Sequence, residues 1–462
     1  MSKPLRFMFV HPVDYKSLVE TGFPHLGLGQ LSASIKKRIP GVQTLIVRGH
    51  LQEWIHDWQP DIVGITAVSQ YWDEAKFHAQ RSKQGGLPVI VGGVHVTALP
   101  ETMTEDMDVA VLTEGEQTIV DLVRLFQAEG EFRPASLRSI PGIAFRENGQ
   151  LVKTAPRPMI PNLDLLPHID RTILAHSYHT GMFTSRGCPY SCLFCASTRY
   201  WPKMRFNSAT YVAEEICRLH SEGVTQITFL DDLFVADKRR LVEIHDLLGH
   251  KGLLGKLSYI CNVRSNLVTN DLCRLLHDMN VKVVGIGMES ANPTTLAYLK
   301  GGGNISVEDH AKAFQRLTDQ GIVVHPSFII GSPQETRDQI MDTYRFIKEH
   351  RIPDFEVYVL MPFPGTPVWD YAAQRGLVGS DMKWERLRYM VTDFGPQSIV
   401  LSERLDYREL ADLYRMFTNL RVKGRRVGMV KQAIKHPMRA VGYVVKVVQG
   451  NETLPEPYPP RR

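Results

Sequence analysis

Short β-branched apolar runs alternate with amphipathic stretches along most of this chain, and that rhythm restricts the fold more than any other feature. In residues 1–130, strands are expected at Arg6–His11, Gln43–Arg48, Asp61–Ala67, Pro88–Gly93 and Val109–Thr113. Helices are expected at Leu26–Ile39, at Leu51–Trp58, over a stretch ending near Gln80, and at Gln117–Glu129. Asp61–Ala67 is continuously apolar over Ile62-Val63-Gly64-Ile65, as a strand covered on both faces must be. Such alternation gives an α/β fold with a doubly wound parallel sheet. Ligands on these sheets lie beyond the carboxyl ends of the strands.

A second alternation fills residues 177–375. Its candidate strands are Met182–Ser185, Gln226–Asp231, Leu257–Val263, Val281–Met288, Ile322–Ile330 and Phe355–Leu360. Helices are expected between them at Ala209–Glu222, Lys238–Leu248, Asp271–Met279, Val307–Gln320 and Thr336–His350. Six strands in this pattern predict a partial (β/α)6 barrel, with its chemistry on loops at the strand C-terminal ends. Residues 131–176 carry prolines at 134, 141, 156, 158, 161 and 167 and read as a linker. A hairpin over Gly142–Lys153, turned at Asn148-Gly149, is open there, but a plain spacer is preferred. Residues 376–462 read as a helical, basic C-terminal region. Within it, Arg421–Lys446 holds eight Lys or Arg and no acid, interrupted by Pro437 and Gly442. That stretch suits either peripheral contact with an anionic membrane or a solvated face of a capping subdomain.

The composition, 43% hydrophobic and 22% charged over 462 residues, supports a sizeable core. A net charge of +5 is mild for this length and argues against a dedicated nucleic-acid binder. The apolar run Phe7–Val10 is too short for a secretory segment, and no run reaches the roughly 18–20 residues of a spanning helix. A cytoplasmic protein is expected, peripheral to the inner face of the membrane at most.

Of six cysteines, three fall within eight residues, as Cys188, Cys192 and Cys195. A secreted disulfide framework would spread them, so a reducing compartment and a metal role fit better. Three thiolates on one loop suit an iron–sulfur cluster with one iron left open. A structural zinc site is the alternative, with His176 or His179 as a fourth ligand. Cys217, Cys261 and Cys273 read as small buried hydrophobes.

The segment Thr184-Ser185-Arg186-Gly187-Cys188-Pro189-Tyr190-Ser191-Cys192-Leu193-Phe194-Cys195, set between a strand and a barrel, resembles the signature of the radical S-adenosylmethionine superfamily. The resemblance implies that Cys188, Cys192 and Cys195 bind three irons of a [4Fe-4S] cluster. S-adenosyl-L-methionine would then bind the fourth iron, and its reductive cleavage would give a 5′-deoxyadenosyl radical. Phe194 matches an aromatic that packs near adenine. Asp231 and Asp232 stand where the family contacts the methionyl amino group. Arg264, Glu289 and Ser290 are polar groups at the correct barrel face for carboxylate and ribose, with structural salt bridging as the alternative. Gly331-Ser332-Pro333-Gln334-Glu335-Thr336 and Pro362-Phe363-Pro364-Gly365-Thr366-Pro367 resemble turns that mark a subgroup.

That subgroup has an N-terminal cobalamin-binding domain of flavodoxin-like type. Pro24-His25-Leu26-Gly27-Leu28-Gly29, Pro60-Asp61-Ile62-Val63-Gly64-Ile65, Gly92-Gly93-Val94-His95-Val96-Thr97 and Glu114-Gly115-Glu116 carry the likeness. Gly92, Gly93, His95, Glu114 and Gly115 are its candidate cofactor-binding residues. No Asp-x-His-x-x-Gly loop occurs, so no lower axial cobalt ligand is assigned. A flavodoxin-like domain without cofactor is the alternative.

The resemblance implies a cobalamin-dependent radical enzyme that methylates an unactivated carbon of a specialised metabolite, lipid or tetrapyrrole. The alternatives are a non-methylating reaction on the same cofactors, oxidative cyclisation or ring rearrangement, and a zinc-stabilised binding protein. A small-molecule or lipid substrate and an external electron donor such as flavodoxin or ferredoxin are the expected partners. Neither the substrate nor an acid–base residue is readable.

Overall fold

In the computed structural model the two alternations form two separate sheets. It describes residues 3–13, 24–174, 177–388 and 395–435, with side chains to 425. The first sheet contains β1 (Arg6–Val10), β2 (Gln43–Val47), β3 (Ile62–Thr66), β4 (Val89–Gly92), β5 (Val109–Val111), β6 (Ile143–Glu147) and β7 (Gln150–Lys153). They lie in the order β2-β1-β3-β4-β5-β6-β7. The first five pair in parallel, and β6 and β7 add antiparallel. Phe7 to Val10 and Val89 to Val91 are almost fully buried, which explains their unbroken apolar sequence. The order 2-1-3-4-5 reverses its winding between β1 and β3, and a crevice opens there at the carboxyl ends.

The hairpin corrects the spacer reading of residues 131–176. Asn148 and Gly149 have φ of 52° and 76°, the left-handed pair that a two-residue hairpin turn requires. Ile143, Ala144 and Phe145 are buried, so the hairpin belongs to the sheet's core.

Beyond β8 (His179–Met182), the short strands β9 (Ser185–Arg186) and β10 (Arg205–Phe206) pair with each other. The second sheet then continues with β11 (Gln226–Phe229), β12 (Ser258–Val263), β13 (Val281–Glu289), β14 (Val323–Ile330) and β15 (Glu356–Val359). Its order β15-β14-β13-β12-β11-β8 is parallel throughout, an open half-barrel. The first barrel strand ends earlier than the expected Met182–Ser185. Asp231 accepts from the Thr184 amide at 2.6 Å and the Ser185 amide at 3.3 Å, which draws both out of the sheet. Helices start where the sequence offers caps: Ser306 with Asp309, and Thr336 with Gln339, form reciprocal capping boxes.

Residues 376–388 cross back to the first sheet, where the Trp384 amide donates to Asp73 at 2.9 Å. The helix Tyr407–Lys435 packs on β15. Arg421 and Arg425 of the basic tail bind Asp354, and Arg421 also binds Glu356. These two charges therefore serve packing rather than a free membrane face. Pro437, Gly442 and the rest of the basic stretch beyond 435 lie outside the described residues, as does His176. Among the described residues, no helix is long and apolar enough to cross a membrane.

A buried ion cluster joins the sheets. Glu114, beyond β5, accepts from Arg186 of β9 at 2.8 Å and from Arg205 of β10 at 2.8 and 3.0 Å. It also accepts from the Ile160 amide at 2.8 Å, and Glu116 binds Arg186 at 2.5 Å. Burial alone would raise the Glu114 pKa, but the Arg205 and Arg186 contacts hold it below the usual carboxylate range. Glu114→Gln leaves Arg205 buried without a carboxylate, which should cost about 3–5 kcal/mol in urea unfolding. Because the folded-state pKa is depressed, this contribution is full above about pH 4.3, the unfolded value, and is lost as pH falls further. Acid titration of the parent should show that loss, and Glu114→Gln should flatten it.

Candidate functional site

The cysteine loop leaves β9 and is held from several sides. The Cys195 amide donates to the Cys192 carbonyl at 3.2 Å, closing a turn. The Leu193 amide donates to the Leu299 carbonyl at 3.0 Å, docking the loop on the end of the helix Pro293–Leu299. Cys188, Cys192 and Cys195 are all half-buried and unbridged. Burial pushes the Cys195 thiol up to about 11 and raises Cys188, so metal binding there must displace protons.

Among the described residues, no three His, Cys, Asp or Glu side chains converge on one ion. His179 stands at the opposite end of β8 and its Nε2 lies 2.9 Å from the Thr228 hydroxyl. Three spaced thiols with one cation beside them suit a cluster better than closed tetrahedral zinc. The cation is Arg264, whose Nη1 lies 3.7 Å from the Cys192 sulfur.

The other expected barrel residues divide. Asp232 is exposed at the mouth and accepts from the Ser197 hydroxyl, two residues past Cys195. Asp231 does not face the mouth: it is 1% exposed, and its oxygens are committed to Thr184 and Ser185. Glu289, at φ 64°, folds back onto Lys300, with Oε1 2.9 Å from Nζ. Ser290 is fully buried and accepts from the Asn292 amide at 3.1 Å. Glu289 thus makes the structural salt bridge that was its alternative reading, whereas Ser290 hydrogen-bonds at the start of the next helix. Phe194 packs half-buried against the apolar cluster around Trp369 and Ile329.

A cavity of about 380 Å³ opens between the carboxyl ends of the first sheet and the barrel mouth. Thr66, Ala67, Gly92, Gly93 and Gly115 line one wall; Phe183, Trp201, Asn207 and Asp232 line the other. Gly93 has φ 109°, and a Cβ there would lie 2.5 Å from the Ala67 carbonyl oxygen. Only a glycine lets the backbone at 93 pack this closely on Ala67, and that contact shapes the wall. Asp232 is common to this cavity and the cysteine loop, so the two sites adjoin.

Two N-terminal expectations need correction. His95 is fully buried, stacked on Trp72 at 4.2 Å and bonded to Ser69 and Thr102 at 3.0 Å. It sits inside the helix layer because the turn at Gly93 points residue 95 away from the cavity. Glu114 reaches the cavity rim, but its carboxylate belongs to the ion cluster. The imidazole that does line the cavity is His25, whose Nδ1 accepts from the Leu28 amide at 3.1 Å. Burial lowers its pKa to about 4, so it stays neutral. Sequence reasoning missed Lys300, and also Arg186 and Arg205, whose partners are remote in the chain. Only the adjacency of Arg186 to Gly187-Cys188 offered a signal.

With this geometry in view, comparison with known proteins is specific. The radical SAM superfamily model matches residues 182–347, and the B12 binding domain model matches residues 31–123. The chain is 32% identical over 390 residues to the uncharacterized methyltransferase PH0819 of Pyrococcus horikoshii, covering 80% of this chain and 83% of that one. It is 24% identical to the anaerobic magnesium-protoporphyrin IX monomethyl ester cyclase of Cereibacter sphaeroides, covering 95% and 73%. Its fold resembles the radical S-adenosylmethionine methyltransferase TsrM of Kitasatospora setae, at TM-score 0.65 and 17% identity, covering 82% and 76%. The chain belongs to the radical S-adenosylmethionine superfamily, in the branch that carries a B12-binding domain. It is an enzyme whose cofactors are a [4Fe-4S] cluster, S-adenosyl-L-methionine and cobalamin.

Gly93→Ala tests the cavity wall. Its Cβ meets backbone that has no freedom to yield, so unfolding free energy should fall by about 1–3 kcal/mol. Cobalamin retained through gel filtration, read from its visible absorbance, should fall at least tenfold. Parent-like retention would place the cofactor elsewhere.

Proposed function

We propose that this enzyme transfers a methyl group to an unactivated carbon of a small molecule, with a tetrapyrrole or lipid as the leading substrate classes. The observation that carries this reading is the adjacency of the glycine-walled cavity and the three-thiol loop, which meet at Asp232. Cys188, Cys192 and Cys195 would hold the cluster, and Gly92, Gly93 and Gly115 would face cobalamin. When bound, these groups and S-adenosyl-L-methionine supply a hydrogen-abstracting radical and a transferable methyl.

The chain's own residues supply position. Residues 1–130, extended by the hairpin, would carry the cobalamin site, and residues 177–375 the radical site. Asp231 fixes the Thr184–Ser185 turn from which the cysteine loop departs. Phe183 and Trp201 line the junction. Asp232 is the carboxylate placed to bind an ammonium group at the barrel mouth. The reductant would be an external donor of the flavodoxin or ferredoxin class. Six unbridged cysteines support a reducing, cytoplasmic setting.

The similarity to a cyclase that acts on a magnesium porphyrin favours one second reading, a non-methylating ring closure on the same cofactors. Product analysis separates the two. Anaerobically reconstituted protein, given S-adenosyl-L-methionine, cobalamin, reductant and a porphyrin or polycyclic lipid, should form deoxyadenosine and a product with one added methyl. Deoxyadenosine with a product that has lost hydrogen and gained no methyl would establish the cyclase reading instead. Cys192→Ala should abolish both iron–sulfide assembly and deoxyadenosine formation. Full assembly in that variant, or a zinc-loaded parent without iron, would overturn the scheme.

A further inference from the structure

Arg264 follows β12 and is 7% exposed. Among the described residues it has no carboxylate partner, and its Nε has no hydrogen-bond partner. Its contacts lie in the cysteine loop. Cζ stands 3.9 Å from the centre of the Tyr190 ring, and Nη1 is 3.7 Å from the Cys192 sulfur. Gly303 leaves room for the fork: a Cβ there would lie 3.1 Å from Nη2. Behind it, the Ser265 hydroxyl lies 2.8 Å from Nδ1 of fully buried His310, pinning the turn that carries Arg264.

A buried guanidinium without a counter-charge is costly, and this one is costly until negative charge arrives at the thiols. The stack on Tyr190 fixes where that charge must be. Arg264 therefore has a different task from the ion-paired cations nearby. We propose that Arg264, clamped on Tyr190, is the built-in counter-charge of the cluster at Cys192 and raises its reduction potential. The inference rests on the cluster assignment above. Reduction adds one electron, supplied by the external donor, and so one negative charge. A cation at hydrogen-bond range of a ligating sulfur stabilises the reduced form more than the oxidised one. Arg264 acts here through Cys192 and is a positioning residue.

The test is an equilibrium redox titration of the reconstituted full chain, poised with dithionite and read by electron paramagnetic resonance, without S-adenosyl-L-methionine. Iron and sulfide content are measured on each sample. Arg264→Gln should keep parent-like iron and shift the reduction equilibrium about tenfold toward the oxidised cluster. For a one-electron couple that is ~59 mV more negative. Arg264→Lys, which keeps charge and loses the fork, should shift less. Tyr190→Leu should shift the midpoint in the same direction, and Tyr190→Phe should not. An unchanged midpoint in iron-replete Arg264→Gln overturns the proposal; weaker S-adenosyl-L-methionine binding in that variant would make Arg264 a carboxylate ligand instead. If Arg264→Gln assembles no cluster, Tyr190→Leu decides: an unmoved midpoint there also overturns it. A parent without iron would remove the cluster assignment itself, a result distinct from an unmoved midpoint.

Discussion

Where the two sheets meet, four charged side chains form a buried cluster beside an apolar core that also draws on both. Glu114 and Glu116 come from the loop beyond β5, Arg186 and Arg205 from the small β9–β10 ribbon. Burial by itself would lower the Arg186 pKa, but Glu116 and Glu114 hold it well above its usual value. A buried ion cluster of this sort contributes little net stability, because desolvation of each charge offsets the attraction. Its contribution is definition. The charges favour the placement in which each guanidinium meets its carboxylate, and Glu114, Glu116 and Arg186 line the cavity. Arg186 is also separated from Cys188 by a single residue, so the contact that orients the sheets fixes the origin of the cysteine loop.

That loop is supported by long-range bonds rather than by regular structure. Asp231 at the end of β11 holds Thr184 and Ser185. The Leu299 carbonyl holds Leu193. Lys300, next in the chain, reaches back to the Gly287 carbonyl at 2.8 Å and to Glu289. Glu289 adopts a left-handed backbone where the β13–β14 register shifts, a conformation that costs about 1–3 kcal/mol unless its surroundings impose it. The ion pair with Lys300 holds the side chain of that residue in place. Strain at the mouth of the barrel and the support of the cysteine loop are thus one connected arrangement.

Most of the scaffold was legible because its strands are buried on both faces. Ile62 to Ile65 and Val89 to Val91 have no other way to satisfy an apolar sequence, and they form β3 and β4 as expected. Local chemistry fixed the helix starts at Ser306 and Thr336. The hairpin at 143–153 carried its signal in Asn148-Gly149, and the prolines that flank it at 141 and 156 masked it. The start of the barrel was displaced because Thr184 and Ser185 look like strand residues locally. Their real partner, Asp231, is 47 and 46 positions away, a distance no local pattern reports. Arg421 and Arg425 of the basic tail are a similar case: their charge was plain, but the acids that neutralise them sit on another element.

The same limit explains which site residues survive. Position at a strand's carboxyl end selects Asp231, Asp232, Arg264, Glu289 and Ser290 alike, and says nothing about whether the group is engaged. The structure separates them by unfilled capacity. Asp231 is committed to two neighbouring amides, Glu289 to Lys300, Ser290 to the next helix, and His95 to a tryptophan and two hydroxyls. Asp232 keeps an exposed carboxylate, Arg264 an uncompensated charge, and the three cysteines free thiols. Buried and rim polar groups that remain incompletely matched in a folded protein need a reason, since a fully matched arrangement would be more stable. Here those groups lie around one junction, between the glycine wall and the thiol loop. Their incomplete matching is the physical imprint of ligands that the fold is built to receive.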